Sequence, residues 1–115
     1  MRVIIAGSRC FNDYDLLKKK CDRILKNQNN ITILSGMAKG ADTLACKYAE
    51  ENGYELEKHF AEWGIYGKKS AILRNKKMGD LADSLIAFHD GRSRGTAHMI
   101  DYAKKKELNV RVINF

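Results

Sequence analysis

Three short segments gather glycines, hydroxyls and cations at a spacing that suits an anionic ligand. The densest is His89-Asp90-Gly91-Arg92-Ser93-Arg94-Gly95-Thr96, with two glycines, two arginines and two hydroxyls in its last six residues. Glycine lets backbone N–H groups approach an anion, hydroxyls donate to it, and guanidinium groups grip it as a planar fork. A purely structural loop has little use for that density, so Asp90, Gly91, Ser93, Arg94, Gly95 and Thr96 are phosphate-binding candidates. The second segment, Ser35-Gly36-Met37-Ala38-Lys39-Gly40-Ala41-Asp42, opens onto an amphipathic helical pattern. The amides and dipole of a helix N-terminus favour negative charge, which makes Ser35, Gly36 and Gly40 candidates too. By position Asp42 caps that helix; the functional alternative is a carboxylate that accepts hydrogen bonds from ribose hydroxyls. The third segment, Gly7-Ser8-Arg9, is neither GxGxxG nor a Walker A loop, and serves equally as an anion loop or a tight turn.

Arg74 and Asn75 add a fourth element. Asn75 falls on an apolar stripe between Ala71 and Met78. A polar group facing a core must find partners or lose about 1–3 kcal/mol. It therefore braces a loop backbone or points into a ligand cleft, and Arg74 beside it supplies a cation. Trp63 and Tyr66 could stack on a base, or cover an edge of the core or an oligomer interface. Cys10 follows the first loop without a histidine partner, and His59, His89 and His98 lack metal-ligand spacing, so neither a thiol nucleophile nor a metal site is expected.

These loops need elements to hold them. Val3–Ala6, Ile31–Leu34, Ser84–Phe88 and Val110–Ile113 read as strands, the first three nearly continuous apolar runs that suit burial on both faces. Tyr54–Phe60 alternates more and reads as a fifth strand nearer an edge. Between them lie helical stripes: Tyr14, Leu17, Cys21, Ile24 and Leu25 after a cap at Asn12 or Asp13; Ala41, Leu44, Ala45, Tyr48 and Ala49 before Gly53. Further stripes are Ala71, Asn75, Met78 and Ala82, in a helix starting near Lys68, and Ile100 with Ala103, in a helix over about 96–106. Alternating strands and helices predict an α/β fold, a three-layer Rossmann-like sandwich around a five-stranded, mainly parallel sheet. In such sheets ligands bind beyond the carboxyl ends of the strands, where strand order reverses. All three loops fall at such ends.

Composition narrows the classes. At 115 residues, 44% hydrophobic and 30% charged, the chain suits one ordered domain over 1–115, not a disordered one. No apolar run is long enough to span a bilayer and no signal-peptide core follows Met1, which together point to a cytoplasmic protein. Three cysteines without a CxxC pair argue against a disulfide scaffold. The formal charge of +7 favours anionic partners without choosing among phosphate, nucleotide and nucleic acid, and the lysine runs read as solvated helix faces.

Taken in order, V-I-I-A-G-S-R, S-G-M-A-K-G-A-D, A-E-W-G-I-Y-G-K, R-N-K-K-M and D-G-R-S-R-G-T-A-H-M-I resemble the SLOG superfamily. This Rossmann-like group includes the DprA/Smf proteins and the LOG phosphoribohydrolases, and the resemblance is closest to its small YspA/YpsA-like branch. It implies a cleft for a nucleotide or nucleotide-derived ligand, with the chain acting as sensor, sink or hydrolase in bacterial or phage biology. LOG enzymes use a helix arginine, which Arg74 matches, and a G-T followed by an acidic pair; here Ala97, His98 and Met99 follow Thr96. Cleavage of an N-glycosidic bond would therefore need another carboxylate, from Asp42, Glu62 or Asp90. The second block is also similar to the DprA motif, which makes single-stranded DNA the second choice of partner. Few aromatics appear free to stack on it, since Tyr48 and Phe88 read as core. No cofactor is implied; self-association is.

Overall fold

A computed structural model describes residues 1–115. The elements run β1 (Arg2–Gly7), α1 (Tyr14–Leu25), β2 (Thr32–Ser35), α2 (Ala41–Asn52), β3 (Glu55–Lys58), α3 (Trp63–Tyr66), a 3-10 turn (Gly67–Lys69), α4 (Ser70–Leu81), β4 (Ser84–His89), α5 (Arg94–Lys105) and β5 (Asn109–Asn114). The five strands form one sheet in the order β3-β2-β1-β4-β5. Every pairing is parallel, so the sheet is wholly parallel where the sequence predicts mainly parallel. The chain steps outward from β1 through β2 to β3, then returns across β1 to β4. Strand order therefore reverses between β1 and β4.

Alternation along β1 divides the core into two layers. Val3 and Ile5 face α1 and α2 and pack with Phe11, Leu17, Cys21, Ile33, Tyr48 and Phe88. Ile4 and Ala6 face the other way, onto Met78, Leu85, Met99 and Ile100 under α4 and α5. Both faces of the central strands are dry, which is why their sequences carry continuous apolar runs. On the second face Gly79 lets the helices approach: a Cβ there would lie 2.6 Å from the Tyr102 ring.

The boundaries follow local chemistry. The Asp13 carboxylate accepts from Leu16 N–H at 3.0 Å and starts α1, resolving the choice between Asn12 and Asp13. Gly53, left-handed at φ 66°, ends α2. Ser93 Oγ caps α5 through Thr96 N–H, so that helix begins two residues before the expected Thr96. β3 is the sheet edge, as expected, but ends at Lys58; Phe60 lies beyond it and is 64% exposed. α3 and the 3-10 turn precede α4, which starts at Ser70 instead of near Lys68. No helix is long and apolar enough to cross a membrane.

Candidate functional site

The reversal of strand order leaves a cleft of about 470 Å³ above the carboxyl ends of β1 and β4. Gly7 and Arg9 come from the end of β1, Asp42 from α2, Arg74 and Asn75 from α4, and Asp90, Ser93, Gly95 and Thr96 from the last loop and α5. Nine of the fifteen residues singled out from sequence thus meet in one cavity. Its remaining walls are Ala6, Cys10, Ala38, Ala71, Met78 and Met99. The small and sulfur-bearing side chains set apolar walls beside these polar groups, the usual build of a small-molecule site.

The first turn of α5 forms part of the lining. Its leading amides, Arg94 and Gly95, have no acceptor within the helix. Open space surrounds the position of a Gly95 Cβ, so nothing shields that backbone. Ser93 Oγ is engaged by Thr96, from both its amide at 3.3 Å and its hydroxyl at 3.0 Å. The Asp90 carboxylate also works internally: Oδ1 accepts from Arg92 and Ser93 N–H, each at 2.8 Å. Those two bonds hold Asp90 down to about 2, so it is ionised and committed to shaping the loop. The Gly91 backbone, at φ 84°, completes the turn.

Asp42 and Arg74 line the same cleft. Asp42 does not cap α2; the N-cap is Gly40, with no side-chain cap bond. Its carboxylate turns back to accept from Ala38 N–H at 3.3 Å. Only 5% exposed, it is pushed up to about 6 by burial, against the pull of Arg74 and of the Ala38 and Gly7 amides. Arg74 donates to the Gly36 carbonyl at 3.1 Å, while its buried Nε has no partner. Burial lowers its pKa and Asp42 opposes that shift, yet the two groups form no ion pair within 4 Å. A Cβ on Gly36 would sit 2.8 Å from Asp42 Oδ2 and 2.9 Å from Arg74 Nε, so glycine is what admits both groups. Arg9, exposed and free of hydrogen-bond partners, reaches the same cleft.

Asn75 fills both roles open to it. It is buried, with Nδ2 donating to the Gly95 carbonyl and meeting His98 Nδ1, both at 3.3 Å, and it also lines the cleft. Burial, then the Lys76 charge, holds His98 below the usual histidine range and leaves Nδ1 an acceptor for that amide.

The other candidates stand apart from the cleft. Ser8 and Ser35 are fully buried and their hydroxyls are occupied: Ser8 Oγ accepts from Asp90 N–H at 3.1 Å, and Ser35 Oγ donates to the Asp42 carbonyl at 2.8 Å. Gly40, and Gly7 at the cleft floor, act by close packing. A Cβ on Gly7 would lie 2.4 Å from the Phe88 carbonyl, and one on Gly40, at φ 81°, 2.4 Å from the Ser8 carbonyl. Gly36, Gly91 and Arg94 also lie outside the cleft lining, Arg94 as an exposed side chain at the start of α5. Cys10, Ala38, Met78 and Met99 line the cleft without having been candidates. Their types carry no chemical signal; only their positions, beside a strand end or on the α4 and α5 stripes, could have found them.

An open parallel sheet with a cleft at its reversal point places the protein among Rossmann-like α/β folds. The chain belongs to the YspA, cpYpsA-related SLOG family, whose model matches residues 1–66. It is 36% identical to the Gene 61 protein of Mycobacterium phage D29, over 99% of this chain and 95% of that one. Among solved structures it is similar to DNA processing protein A of Streptococcus pneumoniae, with a TM-score of 0.78 and 21% identity over 96% of this chain and 49% of that one. It is also similar to DNA processing protein A of Helicobacter pylori, the subject of a structure describing single-stranded DNA binding. That match has a TM-score of 0.68 and 21% identity, over 97% of this chain and 64% of that one. The chain thus spans about half the length of the streptococcal protein, and at this identity the likeness is one of fold.

Proposed function

We propose that this chain binds a nucleotide or nucleotide-derived small molecule in the strand-end cleft, as a sensor or a sink for it. The observation that carries this is the convergence of unpaired groups on one cavity: Gly95 with its free amide, the Arg9 side chain, and Arg74 with its unpartnered Nε near Asp42. Phosphate would rest on the free amide of Gly95 and the two arginines, ribose hydroxyls would donate to Asp42, and a base would lie against the partly buried Ala38 and Ala71. Should the ligand also be hydrolysed at its N-glycosidic bond, Asp42 is the carboxylate suited to it, because Asp90 is committed to its loop and Glu62 is exposed and outside the cleft.

A second reading is single-stranded DNA. It is favoured by three solvent-exposed aromatics, Phe60, Trp63 and Tyr66, beside the cations Arg9, Lys39 and Lys58. These supply the stacking surface that composition alone conceals. A homo-oligomer, the other expected partner, would have the exposed Ile65, Ile72 and Leu73 to bury.

Calorimetry with AMP, inorganic phosphate and a single-stranded oligonucleotide at two salt concentrations tests this. Arg9→Ala should weaken AMP by about 1.5–3 kcal/mol, the worth of a charge-assisted bond, without lowering the melting temperature. Unchanged AMP affinity in that variant removes the first loop from the site. Binding of the oligonucleotide alone, fading at high salt, transfers the assignment to DNA. Chromatography of bound AMP after incubation separates a sink from a hydrolase.

A further inference from the structure

Arg74 is shared by more than one cavity. Besides the strand-end cleft it lines a recess of about 410 Å³ with Arg9, Phe60 and Trp63. It also lines a cavity of about 460 Å³ between the end of β3 and α4, with Lys58, Phe60, Tyr66 and Lys77. Arg9 and Arg74 join the cleft to the recess; Phe60 and Arg74 join the recess to the outer cavity. The three cavities therefore meet at the Arg74 side chain. Cleft and outer cavity each fall in the range of roughly 300–1,000 Å³ that holds one small ligand.

The outer cavity has the chemistry of a second nucleotide unit. Phe60 and Tyr66 are 64% and 51% exposed, rings left in water without a protein partner. Lys58 and Lys77 stand in no ion pair. The acidic neighbour Glu62 is exposed, and His59 is engaged by Glu57 at 3.0 Å. Exposed rings flanked by unpaired cations suit a planar base carrying phosphate. A purely apolar occupant would leave both lysines unanswered, and a lone phosphate would leave both rings wet.

We propose that the cavity between β3 and α4 is a second subsite and that the ligand is a dinucleotide. One unit occupies the strand-end cleft, the linking phosphate meets Arg74, and the second unit lays its base on Phe60 and Tyr66 with its phosphate toward Lys58 and Lys77. This rests on the reading of the strand-end cleft above and adds the size and class of ligand to it.

Trp63 is the only tryptophan and lies in the connecting recess, so its fluorescence reports occupancy of these cavities. The full chain is titrated with AMP, the linear dinucleotide pApA and a single-stranded oligoadenylate of about ten units, under constant salt. The expected result is pApA binding at least about tenfold tighter than AMP, with a larger change in Trp63 emission. Tyr66→Ala combined with Lys77→Ala should abolish that tenfold advantage and leave AMP affinity unchanged. Tyr66→Leu, which keeps apolar cover and removes the ring, should reduce it in the same direction. Equal affinity for AMP and pApA overturns the second subsite and leaves the cleft reading standing. Failure of both to bind overturns the two together. Oligoadenylate binding more than about tenfold tighter than pApA overturns the two-unit limit in favour of an extended strand.

Discussion

Replacing Asp42 by Asn isolates an electrostatic tension at the centre of the cleft. The carboxyl is 5% exposed, accepts one long backbone bond at 3.3 Å and has no ion pair, so burial raises it from 3.8 to about 6. An acid whose folded pKa lies above its unfolded value favours the folded state most at low pH. That contribution is complete below about 3.8 and is lost as pH rises through about 6. A shift of two units corresponds to about 3 kcal/mol between the acidic and neutral limits. Asn at the same position cannot titrate. The attraction of Arg74 acts only on the ionised carboxylate and is already contained in that folded pKa, so it does not enter a second time. The informative quantity is therefore a double difference: the unfolding free energy of the natural protein minus that of Asp42→Asn, compared at pH 4 and pH 7.5. It should be larger at pH 4 by about 2–3 kcal/mol, with the change concentrated between pH 4 and 6. Urea titrations followed by circular dichroism measure it, and the other carboxylates cancel because both proteins carry them. Curves that run parallel within about 0.5 kcal/mol from pH 4 to 7.5 would refute the claim that Asp42 is a buried, uncompensated acid.

Ligand binding should carry the opposite pH dependence. Ribose hydroxyls donating to Asp42 need it ionised, so AMP affinity should fall by up to about tenfold per pH unit below about 6, as read by calorimetry from pH 5 to 8; a flat profile takes the carboxylate out of the contact. Gly7→Ala forces a methyl to within 2.4 Å of the Phe88 carbonyl and 2.7 Å of Ala41 Cβ, and should lower stability by about 1–3 kcal/mol in urea. Gly95→Ala meets open space at the start of a helix and should leave stability equal or up to about 1 kcal/mol higher, while weakening AMP by crowding the free amides. Loss of stability in Gly95→Ala without loss of affinity would mean that loop is structural.

Much of the architecture was legible because its signals are local. Continuous apolar runs at Val3–Ala6 and Ser84–Phe88 can be buried only on both faces of a sheet, and the alternation of strands with helical stripes leaves few topologies. The loops that line the candidate cleft were legible for the same reason, since they follow strand ends and carry glycines. What the residue types could not reveal was direction. Ser35 and Ser8 carry hydroxyls suited to a ligand, yet both are buried and engaged by backbone, Ser35 Oγ at the Asp42 carbonyl and Ser8 Oγ at the Asp90 amide. Asp42 looked like a cap, and only the fold shows its carboxylate turned back toward Ala38. Phe60, read as the last residue of a strand, instead stands in solvent beyond its end. Residues 63–69 escaped because a four-residue helix followed by a 3-10 turn has no period long enough to read.

The Asp42–Arg74 arrangement bears on what the cleft is for. A pair kept for structure would close to contact, since a buried ion pair offsets desolvation only with good geometry and filled hydrogen bonds. Here each group is buried, each is pushed toward its neutral form by that burial, and they remain apart on one side of Gly36. Arg74 Nε lacks any partner, and one weak bond supports Asp42. Both groups also line the same open cavity as Gly95, whose amide is unpaired. A phosphate lying between that amide and Arg74 would compensate the guanidinium, and hydroxyls donating to Asp42 would compensate the carboxylate. The ligand that relieves both charges must be anionic at one end and rich in donors a few ångströms away. A phosphorylated sugar satisfies that condition, whereas a bare phosphate leaves Asp42 strained.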